Sequence, residues 1–375
     1  MFKKQNISIY PSSIDELEII IKEGGFLCPF VITGKKSFES SGAEKNLQWL
    51  FSENKSIHFN DFEVNPKSED VDKAIKLFQQ SNCDVIISIG GGSVIDMAKL
   101  INYYHSKADS QPISGDSLVN YNPDFIPHIT IPTTAGSGSE STHFAVMYIN
   151  NNKYSIAHDN LLPDYVIIDP TLLKSQTGYQ IAVSGIDALA QSMESLWNVH
   201  ATALSVLFAE KALKLIYTFL PDAVLHKNDK ALLNVAIGAN LAGRAINITK
   251  TTAPHALSYG FTKLAGLPHG HAVALSLPFF FDLHQKVTDE NCNAPKGKQF
   301  VLDAMDRINS IIDSRNNSNL LQRYFNNLGI ETNAFKLGIS NDICKKVIED
   351  VNLERLANNP VKYVPQCLLN YYTRA

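Results

Sequence analysis

A run of β-branched residues, Asp84-Val-Ile-Ile-Ser-Ile89, stops at three consecutive glycines and opens directly into a helical pattern: Ile89-Gly90-Gly91-Gly92-Ser93-Val-Ile-Asp96-Met-Ala-Lys99. An unbroken apolar run of this kind suits a parallel strand covered on both faces. Glycines let a backbone come close to a bound group, and the first turn of the next helix offers N–H groups and the positive end of its dipole. Ser93 can cap that helix or bond a phosphate oxygen. Three glycines exceed what a tight turn needs, so Gly90, Gly91, Gly92 and Ser93 are read as a phosphate cradle. The loop is neither G-x-G-x-x-G nor a Walker loop, because no Gly-Lys-Ser/Thr ends it. A plain strand-to-helix turn is the competing reading.

Around this loop the first half of the chain alternates. Phe30-Val-Ile-Thr33, Ile129-Thr-Ile-Pro132 and Tyr165-Val-Ile-Ile168 read as further strands, and Ser68 to Gln80 and Ser93 to Tyr104 as helices. Such alternation implies an open α/β sheet. After Asp169-Pro170 strand-like runs nearly vanish. Ile181 to Trp197, Ala201 to Leu220, Lys230 to Asn247 and Asp303 to Leu328 read as helices, while Asp289 to Lys298 reads as a loop. A length of 375 residues fits two domains. An α/β domain at 1–175 and a helical one at 176–375 are expected. A second polar cluster, Pro132-Thr-Thr-Ala-Gly-Ser-Gly-Ser-Glu140, also follows a strand and could line a nucleotide site at the sheet's C-terminal edge, or be an ordinary loop.

Composition narrows the class. Hydrophobic residues make up 45% and charged residues 19%, with a net charge of -4. No basic surface points to nucleic acid or an anionic membrane. The stretch Met1 to Tyr10 lacks a signal peptide's apolar core, and the longest apolar run, Ala272 to Phe281, is too short to span a bilayer. Five cysteines (Cys28, Cys83, Cys292, Cys344, Cys367), an odd number with no C-x-x-C spacing, support neither a disulfide framework nor a cysteine zinc site. A reducing, cytoplasmic setting is expected.

Chemistry-bearing residues concentrate in the second half. Asp187 and Gln191 stand four apart in Gly185-Ile-Asp-Ala-Leu-Ala-Gln-Ser-Met-Glu194, which puts them on one helix face. His255 follows in Ala253-Pro-His255 and His269 in Pro268-His269-Gly-His271. One carboxylate and two imidazoles form an oxygen/nitrogen set suited to Fe²⁺, Zn²⁺ or a similar divalent ion. Taken singly, each histidine would be an ordinary surface or satisfied core residue.

Together these pieces resemble the iron-containing (group III) alcohol dehydrogenase family. The resemblance rests on GGGSVIDMAK at 90–99, PTTAGSGSE at 132–140, Lys153 ahead of Pro163 and Asp169-Pro170, GIDALAQSMES at 185–195, HALSYGFTKLAGLPHGHAVAL at 255–275 and the tail LERLANNP at 353–360. It covers almost the whole chain, in family order. It implies a Rossmann-like N-terminal domain and an all-α C-terminal domain of the dehydroquinate synthase-like architecture, with the active site in the cleft between them. Gly91, Gly92 and Ser93 would bind the pyrophosphate and Thr133 and Thr134 would lie along the cofactor, with Asp96, Ser137 and Lys153 in the same set. Asp187, Gln191, His255 and His269 occupy the four metal positions, with Fe²⁺ favoured and Zn²⁺ the alternative. A homodimer or larger homo-oligomer is expected. Two departures stand out. Gln191 replaces the usual histidine ligand, and Tyr259 replaces a further active-site histidine, which leaves water, His271 or Tyr259 to relay a proton. His271 can equally be read as a solvated loop residue.

Cofactor and substrate follow from two further segments. Where many members carry an acidic residue for the ribose 2′-OH, this chain has Gly34, followed by Lys35, Lys36 and Ser37. Loss of that carboxylate and gain of two lysines favour NADP(H) over NAD(H) and reduction as the working direction, although two solvated surface lysines would look the same. Before His255, the stretch Asn247-Ile-Thr-Lys250-Thr251-Thr252 departs from the apolar segment common in the family. With Arg244 it reads either as an anion pocket or as a helix end. The anion reading resembles the phosphonoacetaldehyde reductase branch, which makes 2-hydroxyethylphosphonate. The expected activity is therefore metal-dependent, nicotinamide-linked reduction of a small aldehyde to a primary alcohol, phosphonoacetaldehyde being the best guess and a generic alcohol dehydrogenase the alternative. A non-redox, dehydroquinate synthase-style enzyme and a metal-free scaffold are the readings of other classes.

Overall fold

The computed structural model describes residues 3–52, 56–105, 124–150, 152–313 and 319–374. The chain divides into two units, Met1–Gln176 and Thr177–Ala375. The first holds eight strands among its described residues: β1 (Asn6–Ile9), β2 (Pro29–Thr33), β3 (Ile57–Phe59), β4 (Val85–Gly90), β5 (His128–Pro132), β6 (Phe144–Ile149), β7 (Asn152–Ala157) and β8 (Tyr165–Ile168). Six of them form one parallel sheet in the order β1-β8-β5-β4-β2-β3, and β6 and β7 pair antiparallel as a hairpin.

Strands β2, β4 and β5 are buried along their whole length, which is why they read as continuous apolar runs. Alternate residues serve opposite faces. Val31, Ile87, Ile89 and Ile131 join one core with Leu17 and Phe38. Phe30, Ile32 and Ile86 join the other with Phe78, Met97 and Ile101. The flanking helices are α1 (Glu16–Gly24), α2 (Ser68–Gln79) and α3 (Gly92–Tyr104). The chain runs from β2 outward to β3, then returns to β4 on the other side of β2. Strand order thus reverses between β2 and β4, where open α/β sheets bind ligands at the strands' C-terminal ends. The Gly34 and Gly90 loops leave those two ends.

Lys99 of α3 is fully buried, and its ammonium group donates to three backbone carbonyls, Ser139 O at 2.6 Å, Thr142 O at 2.7 Å and Phe144 O at 3.0 Å. One side chain thereby ties the 132–144 segment and the start of the hairpin to the helix that the glycine loop opens. Burial pulls its pKa down to about 8, opposed by Asp96 and Glu140.

The second unit is helical among its described residues. Its helices of eight or more residues are α4 (Gly178–Trp197), α5 (Ala203–His226), α6 (Asp229–Thr249), α7 (Ala253–Ala265), α8 (His269–Gln285), α9 (Gly297–Ile312), α10 (Leu320–Asn327), α11 (Asn341–Glu349) and α12 (Pro365–Tyr372). Capping boxes start two of them, Thr177 with Gln180 and Thr202 with Ser205. The single helix expected over Asp303 to Leu328 is two, α9 and α10, and residues 314–318 of it lie outside the described residues. Helix α6 is long and apolar enough to cross a membrane, but 67% of its most apolar window is buried within the protein, as in a core helix.

Lys99→Met should cost roughly 3 kcal/mol of stability, because it strands buried carbonyls whose desolvation is no longer compensated. A change below about 1 kcal/mol in urea unfolding would show that the 139–144 segment holds its place without the ammonium group.

Candidate active site

In the first unit, three loops leave neighbouring strand ends. The register pairs Thr33 with Ile89 and Gly90 with Pro132, so the loops beginning at Gly34, Gly91 and Thr133 lie side by side. No side chain caps α3, although its first residues follow directly on Gly91. Ser93 does not cap it; its Oγ accepts from Asn65 N at 3.0 Å. Part of the glycine requirement is internal. A Cβ on Gly90 would collide with Val94, and one on Gly92 would lie 2.7 Å from Ser137 Oγ, whereas at Gly91 the nearest atoms are those of Thr134, at 3.4 Å. Thr133 N donates to Gly90 O at 3.0 Å, which stitches the two loops together.

The remaining cofactor candidates fall in different places. Asp96 accepts from Ser139 Oγ at 2.6 Å and from Val146 N at 3.1 Å, so it braces the second loop and the hairpin. Burial raises its pKa, with Lys99 and Ser139 opposing. Lys153 stands on β7 opposite Tyr148. Lys35 pairs with Asp61 at 3.4 Å, and Lys36 is exposed. The space beside Gly34 is taken by the Ser37 hydroxyl, which an added Cβ would displace.

In the second unit, α4 presents Asp187, Gln191 and Glu194 at offsets of zero, four and seven, one helix face. His255 lies in the first turn of α7, and His269 begins α8. The ligand-capable atoms of Asp187, His255 and His269 all lie within 4.8 Å of one another. Gly270 permits this approach: a Cβ there would strike the Val183 carbonyl and come within 3.1 Å of Asp187 Cβ. His255 Nε2 is 3.0 Å from Asp187 Oδ1, and Gln191 Nε2 donates to the same oxygen at 3.2 Å. Behind the cluster, His255 Nδ1 bonds Glu194 Oε1, while Glu194 Oε2 accepts from Thr252 N and from Thr252 Oγ1. Burial presses His255 toward neutrality, but Glu194 and Asp187 outweigh it and push its pKa up to about 10. For Asp187, burial is likewise overcome, by the His255 hydrogen bond and the His269 and His255 charges, and its pKa is lowered.

Tyr259 stacks on His269, with ring centroids 5.8 Å apart and planes 7° from parallel. His271 is no solvated loop residue. It is buried in the first turn of α8, between Tyr179 Oη, 2.9 Å from its Nδ1, and Glu331 O, 2.8 Å from its Nε2. The residues read as an anion pocket each have another partner in the protein. Lys250 pairs with Glu354 at 3.0 Å. Thr251 O accepts from Asn358, and Thr252 serves Glu194. Arg244 lies over the Phe208 ring, 5.8 Å from its centroid. The helix-end reading suits this segment better, since Lys250 caps α6. Its φ of 62° and ψ of -170° belong to a region otherwise almost confined to glycine.

Glu194 was missed as a site residue, although it stands within the 185–195 motif and seven residues from Asp187, on the same face. Gly270 gave no sequence signal beyond its place between two histidines.

A glycine-loop parallel sheet followed by a helical unit with a carboxylate–imidazole cluster is the architecture that the sequence resemblance implies for a metal- and dinucleotide-binding enzyme. The chain belongs to the iron-containing alcohol dehydrogenase family: the family's model matches residues 5–170, and the model of the family's C-terminal part matches 181–375. The chain is 29% identical to long-chain-alcohol dehydrogenase 1 of Geobacillus thermodenitrificans over 361 residues, 93% of this chain and 89% of that one. It is 30% identical to the phosphonoacetaldehyde reductase of Streptomyces viridochromogenes over 238 residues, 60% of this chain and 59% of that one. The crystal structure of sulfoacetaldehyde reductase from Bifidobacterium kashiwanohense in complex with NAD⁺ superposes with a TM-score of 0.85 at 25% identity, covering 99% of this chain and 97% of that one. The protein is thus an oxidoreductase of this family, whose members bind NAD(H) and a metal, and the non-redox and scaffold readings are set aside.

Asp187→Ala, His255→Ala and His269→Ala should each abolish retention of Fe²⁺ or Zn²⁺ through dialysis. Gln191→Ala should weaken it less, and Gln191→His should retain or tighten it, because an imidazole is a better donor than an amide oxygen. Full metal content in dialysed His269→Ala would contradict this ligand set.

Proposed function

We propose that the protein reduces a small aldehyde to a primary alcohol with NADPH, and that Asp187, His255 and His269, with Gln191 beside them, hold one divalent metal, Fe²⁺ in preference to Zn²⁺. The observation that carries this reading is the convergence of one carboxylate and two imidazoles within 4.8 Å in a chain of this family. The donor set fits the ion: mixed oxygen and nitrogen ligands on three helices, without cysteine. When bound, the metal supplies Lewis-acid polarisation of the carbonyl oxygen. The chain's own contribution is to bind and orient. The Gly91–Ser93 turn and the start of α3 receive the cofactor's pyrophosphate. Of the two proton-relay candidates, Tyr259 stacks directly on the proposed ligand His269. His271 is joined through Tyr179, itself 43% exposed, to the protein surface.

For the substrate, the favoured reading is a two-carbon aldehyde bearing an anionic group, phosphonoacetaldehyde first. Support comes from the reductase of that name at 30% identity and from the structural likeness to sulfoacetaldehyde reductase. Lys250 is not assigned to this anion, because Glu354 already neutralises it. For the cofactor, Gly34 puts no carboxylate at that position to repel a 2′-phosphate, and the exposed Lys36 adds positive charge, whereas Lys35 is paired with Asp61.

A panel of phosphonoacetaldehyde, sulfoacetaldehyde and propanal, each with NADPH and NADH, tests the whole reading. Phosphonoacetaldehyde with NADPH should give the highest kcat/KM, and preference for propanal would remove the anionic substrate. Gly34→Asp combined with Ser37→Ala, which clears the space, should shift preference toward NADH; a wild type that already prefers NADH would overturn the cofactor choice. Lys250→Ala should leave kcat/KM for phosphonoacetaldehyde within about threefold. A loss beyond about tenfold, more than 1.4 kcal/mol of transition-state binding, would instead show that the lysine leaves Glu354 for the substrate.

A further inference from the structure

We infer that Glu194 is a positioning residue that fixes which nitrogen of His255 faces the metal, an inference that rests on the proposed ligand set. The argument is one of hydrogen-bond stoichiometry. Glu194 is fully buried, and so is Thr252. One carboxylate oxygen receives Thr252 N–H and Thr252 O–H, and the other receives His255 Nδ1. The Thr252 hydroxyl is held in turn by Trp197 Nε1 at 3.1 Å, so the carboxylate cannot swing. It also sits at the start of α7, where the helix dipole favours a negative charge.

An ionised carboxylate only accepts, so the nitrogen facing it must carry the proton. That nitrogen is Nδ1. The same rule places a proton on His255 Nε2, which faces Asp187 Oδ1; a divalent metal would take that proton's place at Nε2, because Nδ1 keeps its own against Glu194. A metal-ligating histidine whose other N–H meets a carboxylate has its tautomer and ring orientation set by that partner, and loss of the partner typically costs about 10- to 100-fold in metal affinity or activity.

A neutral amide of the same shape cannot do both tasks. If a glutamine at 194 gives its oxygen to Thr252, its NH₂ faces His255 Nδ1, and the proton must move to Nε2, which then cannot ligate. If its oxygen stays with His255, the buried Thr252 N–H meets a donor and loses its acceptor. A carboxylate at 194 is therefore required by the imidazole and the backbone together.

The test uses Zn²⁺ as probe. In the Zn²⁺-loaded wild type with ¹⁵N-labelled histidine, NMR should show His255 protonated at Nδ1 and metal-bound at Nε2, with the Nδ1 proton shifted far downfield. The opposite assignment would overturn the inference without any variant having to fold. In competition with a chromophoric chelator, Glu194→Gln should bind Zn²⁺ about 10- to 100-fold more weakly than wild type. Thr252→Val, which removes one hydroxyl contact and leaves the His255 contact, should lose less than about fivefold. Unchanged affinity in folded Glu194→Gln, or equal losses in both variants with the His255 tautomer unaltered, would reduce Glu194 to an anchor for α7. A wild type that takes up no Zn²⁺ or Fe²⁺ would instead sink the ligand set itself, a distinguishable failure.

Discussion

Two buried carboxylates on one face of α4 hold a single imidazole between them, and the second unit is arranged around that contact. Asp187 meets His255 Nε2, and Glu194 meets Nδ1. Two negative charges in a dry interior are tolerated only when donors surround them. Glu194 finds those donors in Thr252, at the start of α7, and Asp187 finds them in Gln191 and His255. The chain must therefore end α6, reverse and begin α7 within a few residues, with Thr252 N–H delivered to Glu194. The strained backbone of Lys250 lies in that reversal. Its position two residues before Thr252 gives the strain a use: it turns the segment so that both the threonine and His255 face α4.

The first unit solves a comparable problem with the opposite sign. There a buried cation, Lys99, collects carbonyls from the 139–144 segment, while Asp96, one turn earlier, takes Ser139 and Val146. The pair binds the second polar loop to the helix behind the first. Residues that look in sequence like cofactor ligands are thus partly the scaffold on which the ligand-facing loops rest. Asp96 is the clearest case: both of its oxygens are spent on protein groups.

Four of the parallel strands (β2, β4, β5 and β8), the glycine loop and the change to helices after residue 170 were legible in the sequence because each has a strong local signature, whereas the four-residue β1, with only Ile7 and Ile9 apolar, was not read. Strand β3 was not, being three residues long and carrying a histidine, His58, in the middle. The β6–β7 hairpin was passed over although Phe144 to Ile149 alternates between buried and half-buried positions, because its turn residue Asn150 is followed by polar Asn152 and Lys153. At the site, Asp187, His255 and His269 could be nominated by residue type and family resemblance. Glu194 could not, since nothing local distinguishes a carboxylate that orients a histidine from one on a solvated face. The anion pocket misread Thr252 for a related reason: a threonine beside a histidine looks available until the fold supplies Glu194. Spacing shows which residues share a face, and only the fold shows what that face meets.

The central claim is that nicotinamide-linked reduction by this protein depends on a metal held at Asp187, His255 and His269. The most direct measurement is NADPH consumption with a small aldehyde by chelator-stripped protein, before and after adding back one equivalent of Fe²⁺ under anaerobic conditions. The account predicts no turnover by the stripped protein and recovery that saturates at one metal per chain. Equal NADPH consumption with and without the metal would contradict it.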